Sequence, residues 1–447
     1  MDVTRYEKIQ ALKRELGLVR QEQALASFAI QLPERSVVLL RELSCNFVTA
    51  LTKMAYGCFV GKPPFPTMAE LGYDDEHLRF HYSNPPRSCK EMLVMGRLDM
   101  TTDGERFTTY EFNGAQPGGL EFISLFMDPL FGDISGQVQA QVHNIYRLYL
   151  QNALDYYQNK MQREEPRGIL ILSNDYHLVS AQHAAYARYL QREIFVQRDS
   201  ANLSLDERGL YLCDQAGKSH RIDLILRSPR ANVKDLRSPE NRIIAAAWAQ
   251  EKAVLVNPPC SNIVGNKVLY AHLQRTELQD AAELSAPERA AIARILPAVC
   301  LVTAENKKQF LDDREQWVLK HAWGGRGYKV WLGREISSNE WQTKIEQAAL
   351  EKGWVCQGFQ APYALPIRLH DVADTAMHVP TTVDPYVTIG REVSAPGFLC
   401  RSVIPKTDDP AEIENVKLNL MGTNTYIGSD GGLRERLIGF GYIDSYK

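Results

Sequence analysis

The sequence has no uninterrupted apolar stretch long enough to cross a bilayer, and its opening residues, Met1-Asp2-Val3-Thr4-Arg5, carry no secretory hydrophobic segment. A soluble, cytoplasmic protein with no membrane partner is expected. Paired cysteines are also missing. The eight, at positions 45, 58, 89, 213, 260, 300, 356 and 400, are dispersed, with no C-x-x-C pair and no compact Cys/His array. That disfavours a disulfide framework or a structural zinc site and leaves buried free thiols. Nor is there an excess of one charge: the net charge is -3 and the isoelectric point about 6.4. A general nucleic-acid-coating role does not fit that balance, and no patterned basic module is present, so no nucleic-acid partner is expected. The 22 prolines and 29 glycines are scattered, without a long low-complexity linker.

What is present is ordinary for a globular chain. Hydrophobic residues make up 45% and charged residues 23% of 447, enough for two or three domains sharing a large interface. Helical spacing through residues 6–31 predicts a helix whose buried side is Ala24-Leu25-Ala26-Ser27-Phe28-Ala29-Ile30 with Leu32 beyond. Pro33 marks a break, and Ser36-Val37-Val38-Leu39-Leu40 reads as a strand or short buried segment. Between 92 and 113, two strand-like runs flank Asp103-Gly104 and predict a hairpin. From about residue 167, strands at Gly168–Leu172, Glu193–Val196, Ile222–Leu226 and Ala253–Val256 alternate with helices at His183–Leu190 and Asn241–Gln250, an α/β pattern. Asn257-Pro258-Pro259 then opens a loop. A third unit from about 260 to 447 holds a helix start at Lys267–Leu273, strands at Trp317–Lys320, Tyr328–Leu332 and Trp354–Gln357, and a helix at Trp341–Ala349.

Two clusters carry chemistry. In Arg97-Leu98-Asp99 and Glu111-Phe112-Asn113, residues two apart share a strand face. Asp99, Glu111 and Asn113 are hard oxygen donors suited to Mg²⁺, and Arg97 is a phosphoryl clamp. Read alone, that pattern is better explained by a solvated hairpin stitched by an Arg–carboxylate pair, and a second nucleotide signal is needed to overturn it. The second cluster is Lys320-His321-Ala322-Trp323-Gly324-Gly325-Arg326-Gly327, in which a strand-end lysine precedes a glycine-rich turn able to bring backbone N–H groups to phosphate. It is not a Walker loop, because the lysine precedes the glycines. Lys267 is a second phosphate ligand candidate, Gln357 a candidate for an adenine edge, and Arg368 and Arg401 are anion-clamp candidates, each with an ordinary structural role as the alternative. His321 points away from Lys320 on its strand and is assigned to packing. Cys260-Ser261 has no local triad partner and is assigned to the fold.

The order of these motifs resembles circularly permuted ATP-grasp proteins, including the glutathionylspermidine synthetase-like group. The resemblance rests on Arg97-Leu98-Asp99 followed by Glu111-Phe112-Asn113, with Asn266-Lys267, Trp317–Lys320 and Gly324-Gly325-Arg326-Gly327 behind them. In ordinary ATP-grasp chains the nucleotide lysines come before the metal cluster; here the order is reversed. The resemblance covers residues 90–435. It implies an α/β, multidomain ATP-grasp fold in circularly permuted order with a central Rossmann-like α/β unit. The implied division is 1–165 with the metal-binding part of the core, 166–259 as the Rossmann-like unit, and 260–447 as the nucleotide-binding part.

It further implies ATP and Mg²⁺ as cofactors, with Arg97 facing the transferred phosphoryl group and Asp99, Glu111 and Asn113 on the metal. Catalytic arginines would be Arg97, Arg326 and Arg368, and the nucleotide would meet Lys267, Lys320, Gly324, Gly325, Gly327 and Gln357. The reaction implied is amide formation between a carboxylate and an amine through an acylphosphate, on small-molecule, amino-acid-like or peptide substrates, by a chain that is a monomer or a homo-oligomer. Two other readings stand beside it, an ATP-grasp-like phosphotransferase and a catalytically inactive nucleotide-binding scaffold.

Overall fold

The computed structural model describes residues 24–74, 82–115, 117–120, 136–172, 183, 186–197, 200–227, 242–322, 329–369, 376–404 and 437–446. Its largest sheet joins strands from both ends of that range: β1 (Ala24–Pro33), β2 (Met95–Thr102), β3 (Phe107–Asn113), β15 (Ala364–Leu369), β16 (Ala376–Ile389), β17 (Val393–Ile404) and β18 (Leu437–Tyr446), in the order β15-β1-β18-β17-β16-β2-β3. β15 also pairs with β16, so β15, β1, β18, β17 and β16 close on themselves, and β2–β3 hangs from the later part of β16. β1 runs parallel to β18 over ten residue pairs and antiparallel to β15.

Two sequence expectations fail here. Ala24–Ile30 was expected on a helix and lies on β1, because pairing with β15 and β18 outweighs the helix preference of its alanines. Residues 6–23 of that expectation lie outside the described residues. Ser36–Leu40 was expected as a strand or short buried segment and lies inside a helix, α1 (Glu34–Phe59). Pro33 ends β1 and stands at the helix N-cap. Buried side chains then recur at Val37, Leu40, Ser44, Phe47, Leu51, Met54 and Cys58. That three-and-four spacing, kept for 26 residues, overrides the short β-branched run.

A second sheet is wholly parallel, in the order β10-β9-β4-β5, from β4 (Ile169–Leu172), β5 (Phe195–Gln197), β9 (Leu224–Arg227) and β10 (Val254–Val256). Its strands read as short continuous apolar runs, as strands covered on both faces do. Helix α2 (Gly136–Met161) packs on β10 and also on β16 and β17, and α3 (Arg242–Ala249) buries Ile244 and Trp248 in the same core. A small antiparallel meander of β6 (Leu203–Leu205), β7 (Leu210–Cys213) and β8 (Ser219–Ile222) is inserted between β5 and β9.

After β10 come short helices α4 (Ser261–Val264), α5 (Val268–Leu273), α6 (Thr276–Ala281) and α7 (Ala286–Ile295). Ser285 and Glu288 cap α7 reciprocally, so its start is fixed locally. A third sheet, order β11-β14-β12-β13, is antiparallel: β11 (Val299–Leu301), β12 (Trp317–His321), β13 (Val330–Leu332) and β14 (Trp354–Gly358). Helices α8 (Lys307–Asp312) and α9 (Ser338–Leu350) cover it through Phe310, Trp341 and Ile345. Helix α5 touches α1, β11 and β14, and Lys320 of β12 and Gln357 of β14 tie the third sheet to the backbone of β3. The fold is mixed α/β, with the chain order expected of a circularly permuted ATP-grasp.

Candidate active site

The hairpin register sets Arg97 opposite Asn113 and Asp99 opposite Glu111, so the four side chains expected on two strand faces share one face. Gly104, at φ +97, supplies the positive backbone angle of the turn between them. Arg97 donates from Nε and Nη2 to Asp99 Oδ1 at 2.9 and 2.8 Å, and from Nη1 to the Gly118 carbonyl. Asn113 Nδ2 donates to the same Asp99 oxygen at 3.0 Å. On its other side, Asp99 Oδ2 receives Arg401 Nη2 at 2.8 Å. Burial alone would raise the Asp99 carboxyl, but Arg401 and Arg97 overcome it and hold the group below its ordinary value.

Arg401 also donates from Nε to Asp384 Oδ2 at 2.6 Å. Asp384 is fully buried, accepts Thr382 Oγ1 and takes the Met100 backbone N–H at 3.1 Å. Burial, reinforced by Asp99, pushes it up to about 6 even with Arg401 against it. Asp384 is absent from the sequence-derived site. Its one signal is a charged residue inside the apolar run Thr381–Val387, and only the β16–β17 register, Thr382 opposite Arg401, turns that into a contact. Arg401, expected as an anion clamp, is thus committed to two carboxylates.

The lysines arrive from the other elements. Lys320, at 5% exposure in β12, donates to the Tyr110 carbonyl of β3 at 3.0 Å and to Gln357 Oε1 at 2.7 Å. Gln357 Nε2 in turn donates to the Thr109 carbonyl at 3.1 Å. Burial pushes the Lys320 ammonium down to about 8, with Lys267 adding to the effect and Glu111 and Asp99 opposing it. Lys267, the residue preceding α5, pairs with Glu111 Oε2 at 3.2 Å. One face therefore gathers Arg97, Arg401, Lys267 and Lys320 with Asp99, Glu111 and Asp384.

This gathering is fixed by backbone. Asn257, just past β10, accepts the Val94 and Met95 N–H groups on Oδ1, each at 2.9 Å. Its Nδ2 donates to the carbonyls of Met95, Gly114 and Ala115 at 2.6, 3.1 and 3.2 Å. Gly114 meets the α4–α5 turn so closely that a Cβ there would lie 2.7 Å from Ser261 O and 3.0 Å from Gly265 N. Asn266 anchors that turn by donating to Leu71 O and accepting from Val268 N, both at 2.9 Å.

Other sequence candidates fall elsewhere. Gly324, Gly325, Arg326 and Gly327 lie outside the described residues, as do Asn419–Gly432. Arg368 lies on β15 opposite Ala29 and Ala376, with its side chain outside the description. His321 packs edge-on to Trp354, and burial pushes it down to about 4, which suits the packing assignment. Burial pushes the Cys260 thiol up to about 12, so it is no nucleophile at neutral pH. All eight cysteines are free. Among the described residues no three His, Cys, Asp or Glu side chains converge as a metal site, and no helix is long and apolar enough to cross a membrane.

The model of the circularly permuted ATP-grasp type 2 family matches residues 101–401, and the chain belongs to that family. Glu111, Asn113, Lys267, Lys320, Gln357 and Arg368 fall within the match and Arg401 closes it, while Arg97 and Asp99 stand just before it. A solved structure described as a putative gamma-glutamylcysteine synthetase from Methylobacillus flagellatus KT is 11% identical, covering 86% of this chain and 87% of that one at a TM-score of 0.38. No curated protein matches the sequence.

Proposed function

We propose that this protein is an ATP-dependent carboxylate–amine ligase that forms an amide bond through an acylphosphate, with a resemblance to the glutathionylspermidine synthetase-like group. The reading rests on family membership and on one contact above all: the Lys320 ammonium reaches the strand that carries Glu111. Lys320 thereby stands beside the hairpin that carries Asp99, Glu111 and Asn113, which supports a shared phosphate site. A buried ammonium held by two neutral oxygens has unspent charge, and phosphate oxygens are its natural partners.

The donor set fits Mg²⁺: two carboxylates, an amide oxygen and adjacent cations for the phosphates, with the remaining coordination left to phosphate oxygens and water. Asp99, Glu111 and Asn113 would hold the ion, whose chemistry there is neutralisation of charge on the phosphates. Lys267 and Lys320 bind the β- and γ-phosphate oxygens, and Gln357 keeps Lys320 aimed. Arg97, fixed on Asp99 and Gly118, orients the transferred group, with Arg326 and Arg368 as further clamps and Gly324, Gly325 and Gly327 covering the phosphates. A substrate carboxylate oxygen attacks the γ-phosphorus and ADP leaves. An amine then attacks the acyl carbon, and inorganic phosphate leaves with the amide formed. No serine or cysteine ester is needed, because ATP supplies the activation. In this scheme residues 1–165 include the metal-binding part of the core, 166–259 form the Rossmann-like unit and 260–447 the nucleotide-binding part.

The test is ATP with pooled carboxylates and amines. Amine-dependent ADP and phosphate release together with a product of the summed mass supports the ligase. A stable phosphorylated product would make the protein a phosphotransferase, and nucleotide binding without turnover across the pool would favour the scaffold.

A further inference from the structure

One buried cation is used by nothing described so far. Arg227 ends β9, an interior strand of the parallel sheet, between β10 and β4. It is 5% exposed. Its Nε donates to the Asn257 carbonyl at 2.9 Å and its Nη2 to the Pro258 carbonyl at 3.4 Å. Its Nη1 is buried and, among the described residues, makes no hydrogen bond. Among the described residues no carboxylate pairs with it; Tyr149, Tyr156 and Cys260 surround it instead, and burial pushes the guanidinium down to about 10.

A buried arginine ordinarily carries a carboxylate or phosphate, since an uncompensated interior charge is costly. The structural work of this one, holding the Asn257-Pro258 carbonyls, is done by two nitrogens. That leaves Nη1 and the second N–H of Nη2, the end of the fork that can take a carboxylate through two parallel hydrogen bonds. Its position agrees with its chemistry. Open parallel sheets bind ligands beyond the carboxyl ends of their strands. Small-molecule sites pair mostly aromatic and apolar walls with a few placed charges, and the buried Tyr149 and Tyr156 beside Arg227 are of the type such walls use. The distance to the phosphate site is short in chain terms: Arg227 holds the carbonyl of Asn257, whose side chain holds Gly114 and Ala115, directly after Asn113.

We infer that Arg227 is the anchor for a carboxylate of the acid substrate, gripping a small carboxylic acid at the end of the parallel sheet beside the Asn113–Ala115 turn. The inference rests on the ligase reading for what happens next, but the binding itself does not need ATP. Phosphate is the less suited ligand, because Lys267 and Lys320 already provide for it on the hairpin side.

The experiment uses the full chain, with Arg227→Met and Arg227→Lys beside the parent. Calorimetry measures binding of succinate and glutarate, with succinamide as the uncharged control, and separately of a non-hydrolysable ATP analogue with Mg²⁺. The expected result is dicarboxylate binding by the parent and none of the diamide. Arg227→Met should lose at least about tenfold in that affinity and Arg227→Lys less, with analogue binding unchanged in both. No dicarboxylate binding by the parent, equal binding by Arg227→Met, or competition by inorganic phosphate stronger than by the dicarboxylates would overturn the assignment. Failure of the parent to bind the ATP analogue would sink the ligase reading and leave the carboxylate site standing.

Discussion

Lys320 of β12 and Tyr110 of β3 are joined by a hydrogen bond of 3.0 Å from the ammonium to the backbone carbonyl, across 210 residues of chain. The lysine is out of solvent and, among the described residues, has no carboxylate within salt-bridge reach as Lys267 has in Glu111. Its charge is therefore only partly compensated, and its behaviour on titration reports whether an anion has arrived.

Binding of Mg-ATP is accordingly expected to take up protons. In the free protein Lys320 titrates near 8, pushed down by burial, and phosphate restores its preference for the charged form. Uptake should be small at about pH 6.5 and approach one proton above pH 8, read by calorimetry in buffers of different ionisation enthalpy. The free protein should also gain stability from this group as pH rises from about 8 towards 10.5, because the unfolded chain keeps the proton longer. Lys320→Met should abolish the uptake and weaken nucleotide binding; an affinity equal to the parent's counts against a phosphate role.

Glu111→Gln keeps the size and part of the hydrogen bonding of the side chain while removing its charge. The Lys267 pair it breaks is largely buried, at 8% and 19% side-chain exposure, so the melting temperature should fall, with the loss limited because the Gln oxygen can still accept from the ammonium. Turnover should fall by about a hundredfold and the magnesium requirement rise by about tenfold. A magnesium titration of ADP formation checks both, and unchanged curves would remove Glu111 from the metal set.

The hairpin was legible because its information is local: Asp103-Gly104 fixes the turn, and period two fixes which side chains travel together. The apolar strands of the parallel sheet and of β12 and β14 were legible for the same reason. What escaped depends on pairing between distant segments. Ala24–Ile30 becomes a strand only because β15 and β18 flank it. Asp384 enters the site only through its cross-strand neighbour Arg401, and Arg227 stands out only once burial and the lack of a partner for Nη1 are known. Sequence spacing carries none of that. Lys320 was marked as a phosphate ligand from its place before the glycines, yet its contact with β3 required the third sheet to be placed against the first.

Arg401 holds Asp99 and Asp384 at 2.8 and 2.6 Å, so it serves as the common counter-ion of two buried carboxylates. Arg401→Met should cost about 3–5 kcal/mol, the range for stranding a buried charge by removing its partner. Adding Asp384→Asn to that variant should return part of the loss, because Asp384 is the carboxylate left stranded while Asp99 keeps Arg97. Urea denaturation of the single and double variants measures this. If the double variant is no more stable than the single one, the arginine acts through packing rather than charge.

Gly114 tests whether the two halves of the site must touch. A methyl group there has no room, with Ser261 O at 2.7 Å and Gly265 N at 3.0 Å, both backbone atoms that no rotamer change relieves. Gly114→Ala should therefore push the end of β3 away from the α4–α5 turn, separating Glu111 from Lys267, at a cost of about 1–3 kcal/mol. Gly358→Ala is the control, since its new Cβ meets nothing nearer than Ala298 O at 3.6 Å. If the hairpin and the lysine turn grip one phosphate group, Gly114→Ala should lose nucleotide affinity at temperatures where its circular dichroism still matches the parent's, and Gly358→Ala should not. Equal affinity in the folded Gly114→Ala protein would mean that the Lys267 side contributes nothing to the nucleotide.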